Sequence, residues 1–149
     1  MFSIHIEEFF LDCTKILKQL YMSFPMKSNV FVEDISGPDQ ADEYGLHSDR
    51  FQSCFGAMLW LEQERFIKFE STLKQEAIDQ ATLTSKGLKL MSSICHDQQI
   101  NVLTEQIHPI IEGLKGLPNI DTLNHIMKHG TSSQLAIAMQ HLIHKYSDN

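Results

Sequence analysis

The stretch Leu59-Trp60-Leu61-Glu62-Gln63-Glu64-Arg65-Phe66-Ile67-Lys68-Phe69, LWLEQERFIKF, changes its hydrophobic period halfway along. Up to Arg65 the residues Phe51, Cys54, Phe55, Met58, Leu59 and Leu61 or Glu62 recur at spacings of three and four, which is the buried stripe of a helix. From Phe66 the period is two, with Phe66, Lys68 and Glu70 alternating with Ile67, Phe69 and Ser71. A helix therefore passes into a strand with almost no loop. Ser48 is placed to cap that helix and Asp49 lies in its first turn, where a carboxylate favours the N-terminal dipole. After the strand comes a polar tip, Leu73-Lys74-Gln75-Glu76, and then Ile78 to Leu83, which can return as the partner of a β-hairpin.

Outward in the N-terminal direction, Ile4 to Phe24 carries Phe9, Phe10, Cys13, Ile16, Leu17, Leu20 and Tyr21 at helical spacing with charged residues between them, and Pro25 ends it. Val30-Phe31-Val32 is a short β-branched patch. The acidic, Gly- and Pro-punctuated segment after it predicts a turn-rich or weakly helical connection. Outward in the other direction, Thr84 or Ser85 can cap a helix bearing Leu88, Leu90, Met91 and Ile94. More helix is expected at Ile100 to Leu114, broken or kinked near Pro109, at Ile120 to His129 and at Thr131 to Tyr146, with breaks at Gly116, Pro118 and Gly130.

The bulk properties narrow the class. A chain of 149 residues with 42% hydrophobic and 21% charged residues has the composition of a soluble globular protein. No window reaches the roughly 18 consecutive apolar residues of a membrane span, and acids stand where a signal peptide would carry bases, so a cytoplasmic location without membrane association is expected. Cys13, Cys54 and Cys95 have neither disulfide-framework nor zinc-ligand spacing. The net charge is -7, and neither half is basic: Met1 to Ser93 has 9 Lys and Arg against 14 Asp and Glu, and Ile94 to Asn149 has 3 against 5. Phosphate affinity comes mainly from Lys and Arg, so contact with nucleic acid would require local asymmetry of charge.

The order helix, short strand, connection, helix, hairpin, helix resembles the winged helix-turn-helix superfamily over about residues 4–93. AMLWLEQERFIKFE is similar to the end of a recognition helix entering the first wing strand, where an LxxEGxI type of sequence is common. ATLTSKGLKLM is similar to the second wing strand with its LTxxG passage into the next helix. Two features depart from the pattern. Arg65 occupies the position where glycine is usual, which carries a cost if the backbone is left-handed there, and VEDISGPDQADEYG, with Gly37-Pro38 and Gly45, does not spell a regular helix ahead of the recognition helix.

The resemblance implies a mainly α fold with a small β-hairpin wing, an α+β winged-helix domain at 1–93 followed by a helical C-terminal extension at 94–149. It further implies a DNA-binding transcriptional regulator of double-stranded DNA. His47, Ser48, Arg50, Gln52, Ser53 and Gly56 would then face the major groove, with Arg50 suited to a guanine edge and Gln52 to adenine. Lys68, Lys74 and Lys86 would reach phosphates. Asp39, Asp42, Glu43 and Asp49 crowd the same helix start and oppose a phosphate backbone, so the alternative is an acidic protein–protein interaction module on the same fold.

Other chemistry is poorly supported by the residues. His125 and His129, four apart, and His141 and His144, three apart, could each share a helix face, and His96 and His108 lie nearby. No HExxH motif or cysteine at ligand spacing accompanies them, so no metal site and no cofactor is expected. GxSxG, P-loop and GxGxxG motifs are absent, and the chain does not read as an enzyme. SSQLAIAMQHLIHKY is apolar around more than one face. That terminal helix must bury against the rest of the chain or against a second copy, and the resemblance favours a homodimer formed through C-terminal helices.

Overall fold

The computed structural model describes residues 2–107 and 116–147. Among them are seven helices and a small antiparallel sheet of four strands, an α+β arrangement dominated by helix. Helix α1 (Ile4–Ser23) leads through β1 (Ser28–Phe31) into the one-turn α2 (Val32–Ser36). Residues 37–48 follow without a regular element, as their Gly and Pro content predicts. Helix α3 (Asp49–Gln63) then runs into β2 (Ile67–Lys68), β3 (Ser71–Leu73) and β4 (Ala77–Leu83), and α4 (Ser85–Ser92) closes the first half. The second half is α5 (Gln98–Ile107), α6 (Asn119–His129) and α7 (Ser132–Tyr146). The kink expected at Pro109, the end of that helix at Leu114 and the side chain of His108 lie outside the described residues.

The passage from helix to strand that the period change predicts is held by backbone and caps. Ser48 accepts a hydrogen bond from the Phe51 amide at the start of α3. At its end the amides of Arg65 and Phe66 donate to the Glu62 and Leu61 carbonyls, and Arg65 is left-handed at φ 69°. That is the conformation made costly by arginine standing where glycine is usual. Three contacts from α4 lock the turn. Thr84 Oγ1 donates to the Arg65 carbonyl, the Thr84 amide donates to the Phe66 carbonyl, and Lys86 Nζ reaches the Glu64 carbonyl at 2.8 Å. Thr84 also caps α4 by accepting from the Gly87 amide. Gly87 is required by this approach, since a Cβ there would drive into the backbone carbonyl oxygen of Phe66.

In the sheet β4 is central, with β1 on one side and both β2 and β3 on the other. The hairpin differs from a continuous pair of strands in being interrupted at Phe69-Glu70. Its register nevertheless carries across the gap, with Lys68 opposite Thr82 and Ser71 opposite Asp79. The reason lies in β4, where Gln80 is left-handed at φ 51° and its amide donates to Asn29 Oδ1, while the pairing with β1 shifts between Ser28 and Val30. That bulge twists the central strand and breaks the outer ladder. At the tip, Lys74 and Gln75 both have positive φ and the Glu76 amide donates to the Leu73 carbonyl, a tight turn.

One apolar core runs through both halves of the chain. Helix α1 is its axis: Cys13, Ile16, Leu17 and Leu20 are fully buried, and the helix packs on α3 and β4 on one side and on α7 on the other. Leu135, Ala136, Ala138, Met139, Leu142 and Ile143 of α7 are buried within the chain, and each large one contributes about 1.5–3 kcal/mol. This accounts for the wide apolar girth of the terminal helix. The halves are stitched at Asn119, whose amide donates to the Ser93 carbonyl and whose Nδ2 donates to the Leu90 carbonyl.

Candidate functional site

The outward face of α3, the 37–48 segment and the hairpin tip enclose a cleft of about 590 Å³. Its walls are Leu46 and His47 from the segment, Gln52, Phe55, Gly56 and Leu59 from α3, and Lys74, Gln75 and Glu76 from the tip. Leu59 is 41% exposed and Leu46 61%, so apolar surface here faces solvent instead of the core. Tyr44, at 80% exposure, stands in the same segment.

The polar residues around this face are mostly engaged by the protein itself. Arg50 does not lie free on α3: its Nη1 and Nη2 donate to the two oxygens of Asp12 at 2.7 and 2.6 Å, and its Nε meets Glu8 at 2.8 Å. Asp12 is fully buried in α1, so the guanidinium is the counter-charge of a carboxylate removed from water. His47 is held between Asp39 and Glu76 and stacks on Phe51 with ring centroids 3.8 Å apart. Ser48 is spent on its cap, and Gln52 Nε2 donates to the His47 carbonyl at 2.8 Å. Lys86 lies over the Phe66 ring as well as on Glu64. Of the eight side chains that the sequence nominated for DNA, Ser53, Lys68 and Lys74 are exposed and make no hydrogen bond or ion pair among the described residues. The acids of the segment also have local work: Asp42 accepts from the Tyr44 and Leu46 amides, and Asp39 from the Ser48 amide.

Two titrations in this cluster are shifted. Hydrogen bonding to Asp39 first, and then to Glu76, holds the His47 imidazole above its usual range. Hydrogen bonds from Ser48, then the His47 contact, hold the Asp39 carboxyl below its own. The three thiols are also shifted. Burial pushes Cys13 well up, Cys54 to about 12 and Cys95 up, which removes them as thiolate nucleophiles.

The described histidines of the tail lie apart from one another except for one pair. The His125 and His129 rings are tilted by 49° with centroids 5.0 Å apart, and His141 Nδ1 lies 3.6 Å from Asp97. His96 and His144 face solvent. Among the described residues no three His, Cys, Asp or Glu side chains could share a metal ion, and no helix there is long and apolar enough to cross a membrane.

Comparison with known proteins supplies no relative. No family model, no curated protein and no solved structure matches the chain. Its functional reading thus rests on the geometry of its own residues. Sequence reasoning missed the burial of Asp12, one of the charged residues between the apolar positions of α1, and the apolar residues Leu46 and Leu59 as surface features. A faint signal for the cleft was present in Leu59, which falls at the edge of the α3 stripe.

Proposed function

We propose that residues 4–93 form a winged helix that works as an acidic protein-interaction module, with the cleft beside α3 receiving a segment of a partner protein. The fold reading draws on the element order, the left-handed Arg65 at the helix-to-strand turn, and the close approach of Gly87 to Phe66. The functional reading is carried by one observation. The face of α3 that a DNA reader would turn to the groove borders a cleft with exposed Leu46 and Leu59, and the side chain best suited to reading bases, Arg50, is turned to α1 and bound to Asp12 and Glu8.

Charge narrows the partner. From Val32 to Asp49 the chain has six acids and no Lys or Arg, so the rim favours positive residues flanking an apolar anchor. An amphipathic segment with Leu-like side chains on one face and Lys or Arg beside them fits both features. Of the side chains nominated for DNA, only Ser53, Lys68 and Lys74 are left for that role. Pairing through the C-terminal helices has no support from α7, whose apolar residues are packed inside the chain.

The test compares synthetic amphipathic peptides in Leu/Lys and Leu/Glu versions with random duplex DNA, each titrated against the whole protein at low and near-physiological salt. Saturable binding of the Leu/Lys peptide, rejection of the Leu/Glu peptide, and loss of binding in Leu59→Asp are expected. The reading is overturned by retention of duplex DNA that falls steeply with salt and weakens in Lys68→Ala and Lys74→Ala, with no peptide binding.

A further inference from the structure

One wall of the cleft is joined through a single imidazole ring. His47 Nδ1 is 2.9 Å from Asp39 Oδ2, and its Nε2 is 3.0 Å from Glu76 Oε2, so one ring bridges the 37–48 segment and the hairpin tip. Carboxylates offer only lone pairs. Both contacts therefore require a ring protonated on both nitrogens, because neutral imidazole has one N–H and must turn a lone pair towards the other carboxylate. The stack on Phe51, with planes 14° apart, holds the plane of the ring between the two carboxylates.

We propose that His47 is a proton-operated latch across the mouth of the cleft: protonated, it ties the segment to the hairpin tip; deprotonated, it keeps Asp39 and releases Glu76. The choice between the two carboxylates follows from their surroundings. Asp39 also accepts from the Ser48 amide at 3.1 Å and is 17% exposed. The Glu76 carboxylate is 49% exposed and faces water. The Glu76 backbone stays in place, since its carbonyl accepts from the Val32 amide and its amide donates to the Leu73 carbonyl, so only the side chain moves. Of the neighbouring charged residues, Lys74 on the tip lines the same cleft, Asp49 belongs to the first turn of α3, and Arg50 is turned to α1; the charges that act on the ring are those of Asp39 and Glu76.

The direction with pH follows. The His47 imidazole is held above its ordinary value and the Asp39 carboxyl below its own. The latch is thus closed with Asp39 ionised and His47 protonated, and it opens as pH rises through the raised imidazole value. This inference rests on the cleft being a binding site in one respect only. A lysine of a bound segment would compete with His47 for Glu76, so binding and loss of the proton assist each other, as linkage requires.

The experiment has a partner-free arm and a partner arm, both on the full chain. NMR titration of the His47 ring should place its midpoint above the ordinary imidazole value of about 6.5, and that midpoint should fall in Glu76→Gln and in Asp39→Asn. The Glu76 side-chain signals should move with the same midpoint. A wild-type midpoint at or below the ordinary value, or one indifferent to Glu76→Gln, overturns the latch. In the partner arm the Leu/Lys peptide should bind more tightly as pH rises through the midpoint, by at most about tenfold per pH unit for one linked proton. His47→Phe, which preserves the stack, should remove that dependence. Peptide binding with the same pH dependence in both proteins overturns the gating. Absence of peptide binding at every pH, with the NMR behaviour as expected, leaves the latch standing and overturns the reading of the cleft.

Discussion

Replacing Arg50 by alanine is expected to damage the fold before it damages any binding. The guanidinium makes a two-pronged bond to Asp12 at 2.6 and 2.7 Å and a third contact to Glu8 at 2.8 Å. Asp12 has no exposed surface, so the truncation strands a carboxylate where water does not reach it. Breaking a buried pair from one side costs about 3–5 kcal/mol. The lower end applies, because the Arg50 side chain is 29% exposed and its removal admits some water. Asp12→Ala should cost less, about 1–2 kcal/mol, since the guanidinium it leaves keeps Glu8 and partial hydration. The double replacement Asp12→Leu with Arg50→Met should return to within about 1 kcal/mol of the parent, because a buried ion pair and an apolar pair of similar size are close in stability. Urea denaturation at pH 7 of the parent, Arg50→Ala, Asp12→Ala and the Asp12→Ala with Arg50→Ala double variant gives the coupling energy directly, and the Leu/Met double variant compares the ion pair with an apolar one. A loss below about 1 kcal/mol in Arg50→Ala would refute the argument, as would single and double variants whose effects simply add. The same result bears on DNA binding: weakened retention by Arg50→Ala indicates base reading only if the variant is as folded as the parent.

Gly87→Ala should lower stability by about 2–3 kcal/mol, read as a fall in the urea midpoint, because the obstacle is the Phe66 backbone and cannot rotate aside. At Arg65, where φ is 69°, replacement by glycine should raise stability by about 0.5 kcal/mol, the relief of left-handed strain exceeding the entropy added to the unfolded chain. With Cys13, Cys54 and Cys95 all buried and their thiols pushed up, the native protein at pH 8 should react with a thiol reagent only slowly, and rapidly at all three after denaturation. One fast thiol in the native protein would contradict the burial.

The fold was legible where its causes are local. Periodicity located α1 and α3, and the change from period three to four into period two located the hairpin. Ser48 and Thr84, side chains able to accept from an amide three residues on, located two helix starts. The split of the outer hairpin strand was not legible, because it follows from a bulge that Asn29 stabilises from another strand. The candidate site was legible only as a neighbourhood. His47, Gln52 and Lys74 do line the cleft, but Arg50 and Lys86 read as free cations because their partners are distant in the chain.

The sequence by itself determined the succession of helix, strand, turn-rich segment, helix, hairpin and helix, and the shortage of positive charge. These depend on dihedral preferences, on the capping of nearby amides and on composition, which act between neighbours or over the whole chain. Tertiary structure alone decided which charges remain free. Asp12 and Arg50 are 38 positions apart and His47 and Glu76 are 29 apart, and an ion pair forms only where packing carries two groups to within a few ångströms and withdraws water from them. Packing also turned Leu46 and Leu59 outwards beside His47, making an apolar cleft of a surface that the sequence presents as polar.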